Sequence, residues 1–298
     1  MFHVQSARIF RAVLLTGGLT AASVSTASAH DFWVHAGVSV DADSNNPFVM
    51  TNVGWGHTLF PISEFLAGDR LVSYRVVDPM GKTLDLPLDK AANKQLAADA
   101  SALPGIEKLQ AGDPFARRIL FKADAPKGTY QLHGVMTMSP RTDWIDAKGE
   151  KQFASVYPDQ VKDAQRIVES GITVRSSTAY WPVGAWTAPK PSGLPIELLP
   201  SSDVSKLKVG QPVSFDIYRD GKPLKTGAKV AVELHNNDGH VEGKVEGAKV
   251  TATPPAPGTW LVRVFFNEPL PAEGSLAEYK GKLQNARYIT TATFEVKP

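Results

Sequence analysis

Short apolar stretches separated by Gly, Pro, Asn and Asp turns run through most of the chain, which is the pattern of paired β-strands. Phe48 to Val53 reads as a strand running into Gly54-Trp55-Gly56-His57, and Leu71 to Val77 as another, closed by the turn Asp78-Pro79-Met80-Gly81. Ile119 to Lys122 and Tyr130 to Val135 flank Ala125-Pro126-Lys127-Gly128, a connection between paired strands. The pattern becomes more regular after residue 190. Val213 to Tyr218 alternates strictly, Asp220-Gly221 carries a hairpin signal, and Val230–Leu234, Trp260–Phe265 and Ile289–Val296 follow as strands. Two stretches have helical spacing and read as surface helices. They are Leu88 to Ala102, rich in Ala, Lys and Asp, and Asp159 to Glu169, where Val161, Ala164, Ile167 and Val168 share a face.

Trp186 to Gly193 combines prolines with small residues and is the best linker. The expected architecture is therefore mainly β, with two β-sandwich-like domains at residues 30–190 and 191–298. The second is immunoglobulin-like, and the first carries a few short helices. Residues 1–29 read as a secretory signal peptide: Arg8 and Arg11 precede the apolar run Ala12 to Ala22, and Ala27-Ser28-Ala29 is an A-x-A cleavage signal. That run falls short of the about 20 apolar residues a membrane span needs. A periplasmic protein with no membrane insertion after cleavage is expected.

Charge and cysteine content narrow the chemistry. The 298 residues hold 32 basic and 30 acidic side chains, and removing the leader takes away two basic ones and no acidic one. A mature chain near neutrality gives no electrostatic case for nucleic acid or an anionic membrane. Cysteine is absent, so disulfides and thiolate metal sites are excluded and any metal ligands are nitrogen or oxygen donors.

Cleavage after Ala29 makes His30 the first residue, whose free α-amine and imidazole can chelate one divalent ion. Phe32 stands third, so the amino-terminal copper motif with histidine at that position is absent. What remains is a histidine brace of α-amine, His30 imidazole and one further imidazole. His57 is the strongest partner, because Gly54 and Gly56 allow an irregular backbone beside it. His35 lies on the side of the first strand shared with Asp31 and Trp33, and either reaches the same pocket or faces solvent. His133, mid-strand, is a weaker candidate ligand. Asp31 is a ligand, an acceptor fixing an imidazole, or a surface group. His235 and His240 bracket Asn236-Asn237-Asp238-Gly239 and read as a polar hairpin tip. Nitrogen donors of this kind suit Ni, Co or Cu.

Several elements together resemble a known family. They are Ala29-His30-Asp31-Phe32-Trp33-Val34, Val53-Gly54-Trp55-Gly56-His57 with Phe60-Pro61, Gly193-Leu194-Pro195-Ile196-Glu197, Val209-Gly210-Gln211-Pro212-Val213, Asp220-Gly221-Lys222-Pro223-Leu224 and Pro257-Gly258-Thr259-Trp260. The chain resembles bacterial periplasmic proteins long known as a domain of unknown function and as the periplasmic component of cobalt/nickel uptake systems. The resemblance implies a secreted β-rich protein of transition-metal acquisition, and carries only His30 and His57 over as metal positions. One departure is Thr251 to Gly258, where related chains often show a Thr-Asp-x-x-Gly turn.

The leading expectation is a non-enzymatic protein that captures a metal ion or small metal chelate and exchanges it with a membrane metal transporter. Two others stand beside it: a structural or interaction sandwich with incidental histidines, and a copper histidine-brace monooxygenase. No Gly-x-Ser-x-Gly, His-Glu-x-x-His or phosphate-loop element appears, and no acidic pair supports hydrolysis.

Overall fold

The computed structural model describes residues 30–40, 46–93, 97–98, 109–110 and 112–298; the expected leader lies outside them. The first strands are β1 (Asp31–Val40), β2 (Pro47–Gly56), β3 (Leu71–Val77), β4 (Thr83–Asp85), β5 (Ala97–Ala98), β6 (Leu109–Gln110) and β7 (Arg117–Leu120). β8 (Gly128–Met136), β9 (Ser139–Asp146), β10 (Lys151–Ala154) and the long β11 (Ala164–Val183) follow. Past residue 190 come β12 (Glu197–Pro200), β13 (Val213–Arg219), β14 (Lys222–Pro223), β15 (Ala231–His235) and β16 (His240–Glu242). The last are β17 (Lys244–Glu246), β18 (Lys249–Ala252), β19 (Gly258–Pro269) and β20 (Asn285–Val296).

The protein is mainly β, as the alternation predicts. The largest sheet has ten strands in the order β16-β15-β19-β20-β11-β8-β3-β4, with β9 and β10 attached beside β11. It crosses the expected boundary at residue 190, because β11 pairs in parallel with β20 from Gly171 to Ala179. A three-stranded sheet, β1-β2-β7, and a five-stranded one built on β12-β13-β18-β17 complete the layers. β11 serves both cores through strand alternation. Its Ile172, Val174 and Tyr180 enter one apolar cluster with Phe215, Trp260 and Phe266, while Ala179, Trp181 and Val183 enter the other with Phe32, Val53 and Tyr74.

The helix expected at Asp159–Glu169 is corrected. A single 3-10 turn, Pro158–Gln160, gives way to β11, which pairs with β9. Register shifts between Ala164 and Arg166 and between Ile167 and Glu169 explain the misreading. A bulge adds a residue, so apolar positions fall three apart where a regular strand sets them two apart. Within Leu88–Ala102, Lys90–Asn93 forms turns and Ala97–Ala98 pairs with Leu109–Gln110; the rest lies outside the described residues. Helical geometry among the described residues is confined to four three-residue 3-10 turns. No helix there is long and apolar enough to cross a membrane.

β1 pairs with β2 along one edge, from Asp31 opposite Gly56 to Val40 opposite Pro47. Its other edge meets buried hydroxyls of the large sheet. Val34 N–H donates to Ser177 Oγ at 2.9 Å, the Ser177 and Thr291 hydroxyls lie 2.7 Å apart, and Thr291 Oγ1 donates to the Phe32 carbonyl at 2.7 Å. Thr293 Oγ1 donates to the Val34 carbonyl at 2.7 Å. A buried backbone group without a partner is costly, so these side chains do the work of a missing strand. Thr291→Val keeps the shape and leaves the Phe32 carbonyl unpaired. It is expected to lower stability by about 1–3 kcal/mol in urea unfolding; an unchanged midpoint would show that the hydroxyl contributes nothing.

Candidate metal centre

His30 directly precedes β1, and His57 directly follows β2; antiparallel pairing of these strands brings the two ends together. Their imidazole centroids are 4.4 Å apart. Glu64 joins them, with Oε1 2.6 Å from His30 Nε2. One ligand atom from each of His30, His57 and Glu64 lies within 4.8 Å of the other two, the only such grouping of three among the described residues. The side chains of His30 and Glu64 are 39% and 43% exposed, so the group opens to solvent.

The local backbone explains the convergence. Gly56 has φ +123°, a conformation other residues rarely adopt, and a Cβ there would stand 2.0 Å from Ser63 Oγ. That oxygen accepts from His57 N–H at 2.9 Å. Glu64 N–H donates to the Trp55 carbonyl at 3.2 Å, which folds the 57–64 loop back beside β2. At Gly54 the Trp33 indole occupies the place of a side chain: a Cβ would come 1.9 Å from its ring. Leu59, beneath the loop, packs with Trp33 and Leu261. The β15–β16 turn clamps the loop from outside, with Asn237 Oδ1 accepting from Leu59 N–H at 2.8 Å and its amide donating to the Phe60 carbonyl.

Trp55 forms the floor, its ring stacked 5.3 Å from His30 and 6° from parallel. Asp31 is not one of the three donors. It is buried, 2.9 Å from Arg263 Nη1 and 3.1 Å from His235 Nε2, and Arg263 also pairs with Glu233. Burial alone would raise the Asp31 carboxyl; His235 and Arg263 outweigh it and hold the group below the usual carboxylate value. The residue after His30 is thereby fixed to β15 and β19.

The other histidines fall elsewhere. His35 sits edge-on to Phe60 at 4.8 Å, with Nε2 3.6 Å from Glu295 Oε1. His133 is fully buried in β8, opposite Arg75 of β3 and Thr178 of β11, with Nε2 3.3 Å from Gln131 Oε1. His235 and His240 face each other across the hairpin. The structure thus joins His30 and His57, as the sequence suggests, and leaves His35 and His133 outside the trio. Glu64 had no signal of its own, although it follows Phe60-Pro61 in the segment that also holds His57.

The family model for a domain of unknown function, DUF4198, matches residues 27–268. The chain belongs to the DUF4198 family. The match covers both strands that carry the site and the loop holding Glu64. No curated protein matches the chain.

Burial, then the nearby Arg75 charge, pushes the His133 pKa down to about 3 from the ordinary 6.5. The folded protein therefore keeps His133 neutral where the unfolded chain would protonate it. Its stability contribution is complete above pH 6.5 and is lost as pH falls from there through about 3. Unfolding free energy is expected to rise with pH across that window, with up to about 1.4 kcal/mol per pH unit from this group. His133→Gln should flatten the rise in urea titrations at pH 4.5 and 6.5; an identical slope would refute the assignment.

Proposed function

We propose that the protein is a periplasmic, non-enzymatic carrier of a divalent transition metal. Nickel or cobalt is the first choice and copper the next, exchanged with a membrane metal transporter. The observation that carries this reading is the convergence of His30, His57 and Glu64 at one solvent-open point. Two imidazoles and a carboxylate suit borderline divalent ions. Glu64 departs from the all-nitrogen copper brace, which favours carriage over copper oxygen chemistry. The 2.6 Å His30–Glu64 contact sets an imidazole nitrogen and a carboxylate oxygen side by side, where both could turn to one ion.

Three side chains leave positions open on the ion, and such a sphere exchanges more readily than a closed four-ligand structural site. Cleavage after Ala29 would add the α-amine of His30 as a fourth donor. Acid should weaken binding, because imidazoles must be neutral to ligate. The competing reading, a sandwich with incidental histidines, would treat the His30–Glu64 contact as an ordinary surface ion pair.

The test compares protein beginning at His30 with protein carrying one extra residue, titrated with Ni(II), Co(II), Cu(II) and Zn(II). The extension converts an amine to an amide and is expected to weaken binding at least tenfold, about 1.4 kcal/mol. His57→Ala and Glu64→Gln should each cost a similar factor, whereas His35→Ala should change little. If no ion binds more tightly than roughly micromolar, about 8 kcal/mol, the incidental-histidine reading takes over.

A further inference from the structure

One face of the large sheet carries cations beyond what its carboxylates pair, and it adjoins the three donors. Arg141 stands opposite Gly171, Arg287 opposite Thr173, and Arg175 lies two residues further along β11, so all three share that face. Ser177, the next residue on it, binds β1. Arg70, at the foot of β3, lays its guanidinium on the Trp55 ring at 4.6 Å from the centroid, and Arg175 lies over the same ring at 5.7 Å. Trp55 therefore holds His30 and two guanidiniums together.

Counter-charge is scarce. Arg141 takes Asp143 at 2.7 Å, and Arg287 and Lys151 reach the same carboxylate at only 3.8 and 3.9 Å. Glu169 attracts Arg287 but already accepts from Asn267 at 2.6 Å. No ion pair within 4.0 Å joins Arg70 or Arg175 to a carboxylate among the described residues, although the Asp69 carboxylate, next in the chain, attracts Arg70. Arg175 Nε and Arg287 Nε and Nη1 are buried without hydrogen-bond partners among the described residues. Burial first, then repulsion from Arg70, Arg287 and Arg141, pushes Arg175 down to about 10, with Asp31 opposing. Unfilled buried N–H groups are costly, and a bare divalent ion beside these guanidiniums would add repulsion. An anion bound beside Arg70 and Arg175 offsets that repulsion.

We infer that the site takes its metal together with a small polycarboxylate, whose carboxylates pair with Arg70 and Arg175 beside Trp55 while His30, His57 and Glu64 contact the ion. This rests on the metal reading above and names the form in which the ion is carried. The planar guanidinium fork matches a carboxylate edge, and stacking on indole leaves that edge free. Carboxylates also fill coordination positions that three side chains leave open.

The test uses the chain beginning at His30, with Ni(II) and radiolabelled citrate in equilibrium dialysis and with inorganic phosphate as the rival anion. Wild type should retain citrate one-to-one with Ni(II), and phosphate should not replace it. Arg175→Gln should move the two affinities in opposite directions. Citrate retention falls at least tenfold, while bare Ni(II) binds twofold or more tightly because a repelling charge is gone. Arg70→Gln is the second variant, with the same two shifts expected should Arg175→Gln not fold. Glu64→Gln should weaken both. If wild type binds Ni(II) but citrate only strips it away, equally in the arginine variants, the inference falls and the metal reading stands. Equal retention with phosphate overturns the polycarboxylate assignment. If neither bare Ni(II) nor the citrate complex binds, the metal reading itself has failed.

Discussion

The position of β1 depends on hydroxyls that take the place of a neighbouring strand. An outer edge buried against a sheet it does not join leaves carbonyls and N–H groups needing partners. Ser177, Thr291 and Thr293 supply them. Each such bond contributes only about 1 kcal/mol net, whereas leaving the buried group unpaired costs more. That asymmetry makes the contact a positional constraint: β1 can slide only by losing several bonds at once. The Asp31–Arg263 pair fixes the same strand at its first residue. With β1 held, His30 has one place to stand, above Trp55 and beside His57.

Two charge networks flank that place and differ in kind. Around Asp31, one arginine, one histidine and two carboxylates meet at close range, and each charge has a partner. This group orients the strand. Around Trp55 the guanidiniums of Arg70 and Arg175 meet an aromatic face in place of a carboxylate. A cation over indole is attracted modestly, by about 0.5–2 kcal/mol, and keeps its capacity to bind an anion. Adjacent parts of one site are thus electrostatically closed and open.

Much of this was legible from residue order, and the misses have definite causes. Val213–Tyr218, Trp260–Phe265 and Ile289–Val296 alternate because each has one face on a core, and all appear within strands. Ala164–Glu169 looked helical because bulges break the two-residue period. The parallel pairing of β11 with β20 could not be read, since alternation says that a strand exists and not which strand it meets. His30 and His57 were legible through the A-x-A signal and the paired glycines. Glu64 and the arginines were not, because they reach Trp55 only after a loop folds back and separate strands align. The Asn236–Gly239 turn reads correctly as a polar tip, but its grip on the 57–64 loop is purely tertiary.

The three donor side chains span only 35 positions of the chain, yet the hydroxyl that seats their strand comes 259 residues after Phe32. A nascent or truncated polypeptide lacking β20 would contain every donor but not the Thr291 and Thr293 hydroxyls that seat β1 on the large sheet. Closing so long a loop is among the slower events of folding. The seating of β1, and with it the place of His30 above Trp55, therefore waits on the last strand of the chain.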